Sequence, residues 1–238
     1  ETITGKIEET SGSILFSLDD KYIFYSKLDK NHRPRKIFRH ELGTPTKNDL
    51  LIFEEKSEAF TVGIGLSSDE KYYFITSSDH NTSEQYYFEV NETKPQPKLM
   101  QKREKGIIYS INSWDGYFYM HTNKGAEDFK IDKTNDISFV KWNSYIPAKD
   151  ETLIGGLTFL NNWIIRSEVT NALGKIFVKN LKNEKEEELI FSDEKVFDGG
   201  VSLVQKDKNT DLVHISYSTP KTQSRVYLYN LKSKEKKL

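Results

Sequence analysis

A serine hydrolase nucleophile needs a strained turn that lifts the hydroxyl off a strand end, and Gly-x-Ser-x-Gly is its sequence form. No such pentapeptide occurs in the 238 residues. The nearest runs, Gly65-Leu66-Ser67 and Gly200-Val201-Ser202, lack the closing glycine and are expected to be inner-strand residues. Without that turn there is no oxyanion hole of the same kind, so no catalytic residue is assigned to this chain. The five histidines are His32, His40, His80, His121 and His214, and none form a His-x-x-x-His pair. With no cysteine either, neither a metal site nor a disulfide is expected, and no cofactor. His32 and His40 are expected to make hydrogen-bonded hairpin contacts. Carboxylates pair at Asp19-Asp20, at Glu54-Glu55 and over Glu186–Glu188. Glycoside hydrolysis needs two carboxyls facing each other across a cleft. Neighbours on one strand point to opposite faces, so these pairs cannot act together. Asp19-Asp20 is expected in a turn. Glu184–Glu188, with Lys182 and Lys185, is expected to form a solvated hairpin.

Such residues need a scaffold, and a strand cassette recurs along the whole chain. Its second strand opens Tyr22-Ile23-Phe24-Tyr25, Tyr72-Tyr73-Phe74-Ile75, Tyr117-Phe118-Tyr119-Met120, Trp163-Ile164-Ile165-Arg166 and Leu212-Val213-His214-Ile215. Successive copies start 50, 45, 46 and 49 residues apart. Polar turns such as Asp19-Asp20-Lys21 and Asp69-Glu70-Lys71 precede them. Four short strands at this period predict β-propeller blades. The fold expected is all-β, with about five four-stranded antiparallel blades in one domain over residues 1–238. In the third copy the last strand is expected over Ser138–Asn143. Ile3–Ile7 reads as the last strand of an earlier blade, so the ring is expected to be interrupted. Open blade edges would then favour self-association.

Composition narrows the partners. With 35 basic and 36 acidic residues there is no global field for nucleic acid or anionic lipid. No apolar run approaches the ~18 residues of a spanning helix, so no membrane segment is expected. The lack of cysteine agrees with a reducing compartment such as the cytoplasm, with the periplasm as the alternative. Aromatics at 13% suit half-buried pleated surfaces.

Ordered motifs then carry a resemblance. Leu28-Asp29-Lys30-Asn31-His32-Arg33-Pro34 is followed by Lys36-Ile37-Phe38-Arg39-His40-Glu41-Leu42-Gly43-Thr44. Glu8–Ser13, Asp49–Lys56 and the His80-Asn81-Thr82-Ser83-Glu84 turn extend the pattern. This set resembles the N-terminal propeller of the prolyl oligopeptidase family of serine peptidases, most of all its oligopeptidase B branch. The strong matches cover residues 8 to 90. Ser57-Glu58-Ala59-Phe60 departs from the Asp-Glu that often precedes an aromatic there. The resemblance implies a seven-bladed propeller over an α/β-hydrolase domain that carries the Ser, Asp and His triad. That branch cleaves short peptides after Lys or Arg, and the propeller restricts access. This chain would correspond to about blades three to seven, with the hydrolase domain absent. It would be a non-catalytic gating domain, partnered by that hydrolase domain and met by short basic peptides. The first strands of the blades would face the central channel. Acidic groups at the face towards the hydrolase domain would favour basic peptides by local potential, and Glu54, Glu55 and Glu58 are peptide-facing candidates because they cluster in the family-like segment. The alternative is a stand-alone propeller that binds a protein or peptide partner.

Overall fold

The computed structural model describes residues 6–190, 198–205 and 207–238. Its strands form five four-stranded antiparallel sheets, each in simple up-and-down order. The first holds β1 (Thr10–Phe16), β2 (Tyr22–Leu28), β3 (Pro34–Glu41) and β4 (Leu50–Glu54). The second holds β5 (Thr61–Leu66), β6 (Tyr72–Ser78), β7 (Ser83–Glu89) and β8 (Lys98–Gln101). The third is β9 (Tyr109–Trp114), β10 (Tyr117–Thr122), β11 (Lys130–Thr134) and β12 (Asn143–Ile146). The fourth is β13 (Thr152–Leu160), β14 (Trp163–Thr170), β15 (Leu173–Asn180) and β16 (Glu186–Glu188). The fifth is β17 (Asp198–Leu203), β18 (Leu212–Thr219), β19 (Thr222–Asn230) and β20 (Lys236–Lys237). This is the blade architecture of a partial β-propeller. The second strands begin at the five residues that open the sequence cassettes. Of the expected leading strand, residues 3–5 lie outside the described residues, and Lys6 and Ile7 are not in a strand.

The chain divides into two compact units, Glu1–Lys124 with Asp132–Ser144 and Gly125–Ile131 with Tyr145–Leu238. In the first unit the side-chain alternation of β6 explains why its sequence is apolar without a break. Tyr73 and Ile75 pack with Phe24, Ile37 and Ile52 of the first sheet. Phe74 points the other way, into a cluster with Ile111, Phe118 and Met120. A strand covered on both faces has no solvent side to reserve for polar residues. In the second unit Trp163 and Ile165 of β14 pack on Val213, Ile215 and Tyr217 of β18.

The polar turns are built alike. The Ser17 hydroxyl donates to Asp19 at 2.7 Å and accepts from the Tyr22 N–H at 2.9 Å. The Ser67 hydroxyl does the same for Asp69 and the Tyr72 N–H, at 2.8 and 3.0 Å. Asp20 and Glu70 take the left-handed conformation at φ 56° and 57°. Ser67 is therefore not an inner-strand residue as expected. It lies one residue past β5 and holds a turn.

The expected strand over Ser138–Asn143 is also displaced, because β12 covers Asn143–Ile146. Asp136 takes up the preceding residues instead, accepting from the N–H and hydroxyl of Ser138 at 2.9 and 2.6 Å. Phe139 then turns inward at φ 54°. Its ring meets Phe118 and Tyr87 edge-on at 4.9 and 5.4 Å between centroids. Its carbonyl accepts from Trp142 Nε1 and Gln101 Nε2. Burial of that ring outweighs the cost of the left-handed backbone. Phe139→Ala should cost about 3–5 kcal/mol in urea denaturation. Val140→Ala, at a neighbour 76% exposed, should stay within about 0.5 kcal/mol.

Candidate functional site

The family-like segment of the sequence converges on the connection from β4 to β5, residues 55–60. Three arginines hold it. Arg35 on β3 donates to the carbonyls of Glu55, at 2.7 Å, and Ser57. Arg33, just before β3, donates to the carbonyls of Glu58 and Ala59 at 2.9 and 3.0 Å. The planar guanidinium fork suits it to two acceptors at once. Arg103, two residues past β8, closes the arrangement from the second sheet. Its guanidinium reaches Glu84 through Nε at 2.8 Å, and one terminal nitrogen bonds both Glu84 and Glu55 at 2.6 Å. Its plane lies over the Phe60 ring at 4.1 Å.

Both carboxylates are buried, and both are satisfied. Glu55, 5% exposed, also accepts from the Ser77 hydroxyl and from the Ser57 N–H at 2.8 Å. Burial by itself would raise the Glu55 carboxyl, but the bonds from Ser77, Ser57 and Arg103 outweigh it and hold the pKa below the ordinary glutamate range. Glu84 accepts from the Arg103 N–H at 3.1 Å and from the Tyr86 hydroxyl at 2.9 Å. Burial and that anionic partner push the Tyr86 hydroxyl up to about 12. Arg103 is raised as well. Its desolvation is outweighed first by Glu84 and then by Glu55.

The three candidate glutamates are thus not brought together. Glu54 lies on the other side of the strand end, 3.4 Å from Lys36 and 2.5 Å from Lys56. The Glu55 carboxylate is turned inward and taken up by internal bonds. Glu58 is exposed, and its carbonyl is the atom that Arg33 holds.

His40, next to last in β3, places Nδ1 2.6 Å from Asp49 Oδ1 just before β4, a hydrogen-bonded contact within that hairpin. The other Asp49 oxygen accepts from the Tyr25 hydroxyl at 2.8 Å. A His–Asp pair is present, but a tyrosine from β2 stands on the carboxylate, and among the described residues no serine is bonded to the ring. Burial, then the anionic partner, raise the Tyr25 hydroxyl well above its ordinary value, so it is no nucleophile at neutral pH. His32 stands exposed in the β2–β3 turn at φ 56°. Among the described residues no cluster of three His, Cys, Asp or Glu is placed to hold a metal ion.

The second unit carries an analogous charged knot. Arg166, 3% exposed, bonds Glu168 at 2.8 Å and Glu186 at 2.7 and 3.1 Å. Lys149 adds two bonds to Glu168 at 2.7 and 2.9 Å. The Phe177 ring faces the guanidinium at 4.7 Å. The acidic hairpin is therefore not simply solvated, as expected, because Glu186 neutralises a buried cation.

Arg33 and Glu84 lay inside motifs recognised in the sequence and Arg35 between two of them, although their bonds carried no such mark. Arg103 carried no local signal: its partners are 19 and 48 residues away.

Comparison with known proteins gives this arrangement relatives. The sequence model of the prolyl oligopeptidase N-terminal β-propeller domain matches residues 1–238. Protease 2 of Moraxella lacunata is 30% identical over 237 residues, which cover 94% of this chain and 32% of that protein. Oligopeptidase B from Trypanosoma brucei, in a closed form with covalently bound antipain, superposes with a TM-score of 0.90 at 25% identity. It covers 99% of this chain, which covers 35% of it. Oligopeptidase B from Leishmania major superposes at 0.89 with 17% identity, a likeness of fold. The chain thus spans about a third of the length of these relatives.

Replacing Arg103 by Met should leave Glu55 and Glu84 buried without their cation and cost about 3–5 kcal/mol at pH 7. A depressed folded-state pKa means that the unfolded chain binds more protons in acid. The stability due to Glu55 is therefore present above the unfolded glutamate pKa of about 4.3 and lost as pH falls below it. The gap between wild type and Arg103→Met, from urea midpoints at stepped pH, should accordingly narrow below about pH 4.3. A gap constant down to pH 3 would contradict the assignment.

Proposed function

This chain belongs to the prolyl oligopeptidase family, and we propose that it is the non-catalytic gating domain of a serine oligopeptidase similar to oligopeptidase B. The observation that carries the proposal is the match of the family's propeller domain along residues 1–238. It is supported by relatives about three times as long, in which this portion is joined to further chain. Physical chemistry agrees, because the acid–base pair His40–Asp49 is occupied by Tyr25. On this reading the hydrolase domain supplies the Ser, Asp and His triad, and the propeller admits short peptides while excluding folded proteins. Cleavage after Lys or Arg belongs to the same proposal. Any electrostatic preference contributed by the β4–β5 connection falls to Glu58 and Glu54, since Glu55 is committed to Arg103. Steering of this kind weakens as salt screens it.

The experiment is to read the gene past Leu238 and express the continuous protein beside the 238-residue chain. Downstream, Gly-x-Ser-x-Gly followed by Asp and His is expected. The longer protein should hydrolyse Arg and Lys esters, and this chain alone should not. A frame without a hydrolase segment, or esterase activity in the short chain, would sink the proposal. In the longer protein Glu58→Lys should raise KM for peptides rich in Lys and Arg about two- to fivefold at low salt, with kcat unchanged. The effect should fade at high salt. By itself the short chain should self-associate in sedimentation, because β1 at its sheet edge exposes Ile14 and Phe16.

A further inference from the structure

We propose that a cleft between the first and second sheets binds an apolar carboxylate, meaning a carboxyl group carried beside a large aromatic or branched side chain. The cleft encloses about 380 Å³, near the lower end of the ~300–1,000 Å³ typical of small-ligand sites. It lies where β2 begins and β3 and β7 end, away from the arginine-held connection, and the proposal holds whether or not the chain gates a peptidase.

Floor and mouth differ in chemistry. Phe24, Tyr73, Phe88 and Val90 make an apolar floor, with Leu18 and Tyr22 at the sides. Tyr73 is 1% exposed, and its hydroxyl, beside the Leu18 main chain, makes no hydrogen bond of ordinary geometry. A buried hydroxyl left so is unfavourable.

Arg39 stands at the mouth. Its guanidinium lies 4.3 Å above the Tyr22 ring and donates one bond, 2.9 Å, to the Thr93 carbonyl. Among the described residues no carboxylate pairs with it. The acidic groups that line the cleft are already engaged. Asp19 accepts from Ser17 and lies 3.3 Å from Lys21. The two Glu92 oxygens accept from the N–H groups of Glu89 and Gln96 at 3.1 and 3.2 Å. Arg39 thus keeps free donors above an apolar hollow. A carboxylate takes such a fork in a charge-assisted pair, and an attached side chain would fill the floor. Two sources share this chemistry: a free aryl acid and the C-terminal residue of a peptide.

The test is an NMR titration of the 238-residue chain with N-acetylphenylalanine, acetyl-Gly-Gly-Phe and the amide of that peptide. Both acids should shift the amides of Tyr22, Arg39 and Val90. Equal affinity would support a site for free acids, and tighter binding of the peptide acid would support C-terminal recognition. The peptide amide should bind roughly tenfold more weakly, a difference of one charged pair. Arg39→Gln should weaken the acids by a similar factor, and Val90→Trp should abolish binding by filling the floor. Amide binding equal to that of the acid, unchanged affinity in Arg39→Gln, or no shifts at millimolar concentration would overturn the proposal.

Discussion

Cover on both faces is the constraint from which the rest of each sheet follows. Where a sheet is packed on both sides, as the second is through β6, alternation no longer separates core from solvent. Tyr73 and Ile75 serve one cluster, and Phe74 between them serves another. Along β6 that requirement writes the run Tyr73-Phe74-Ile75 into the sequence, whereas β14 and β18 keep exposed positions at Ser167 and Ser216. The third strand shares the burden through Ile37 and Phe88, and the fourth adds Ile52 and Met100.

Large rings fill the space between sheets, and charged groups set where the connections run. The Glu55–Arg103–Glu84 group is costly to desolvate, and an apolar replacement of equal shape could match its stability. Its value lies in direction. An ionic fork accepts only one placement of the chain it grips, whereas Phe and Ile tolerate several. Together with Arg33 and Arg35 it fixes the main chain over Glu55–Ala59. The Arg166 group does the same for β16 in the other unit, through Glu186.

What the sequence disclosed and what it hid divide along the same line. Tyr22, Tyr72, Tyr117, Trp163 and Leu212 could be placed at strand starts because recurring quartets after polar turns leave a local pattern. Phe139 could not, since nothing beside it announces an aromatic residue in a left-handed turn. Ser67 was taken for a strand residue because its turn role depends on Asp69 and on the Tyr72 N–H. Arg103 was invisible because an ion pair across two sheets has no period. Arg166 stood at the end of a recognised quartet, yet its burial depended on Glu168 and on Glu186. The candidate glutamates show the limit of clustering in sequence: Glu54 and Glu55 are adjacent, and a strand end sends them to different environments.

The lengths of the fourth strands have a dynamic meaning. They run five, four, four, three and two residues from the first sheet to the last. A strand that short has few main-chain bonds to lose and little apolar surface to uncover, so it can open without its sheet. Within each sheet the amide hydrogens of the fourth strand should therefore exchange faster than those of the second.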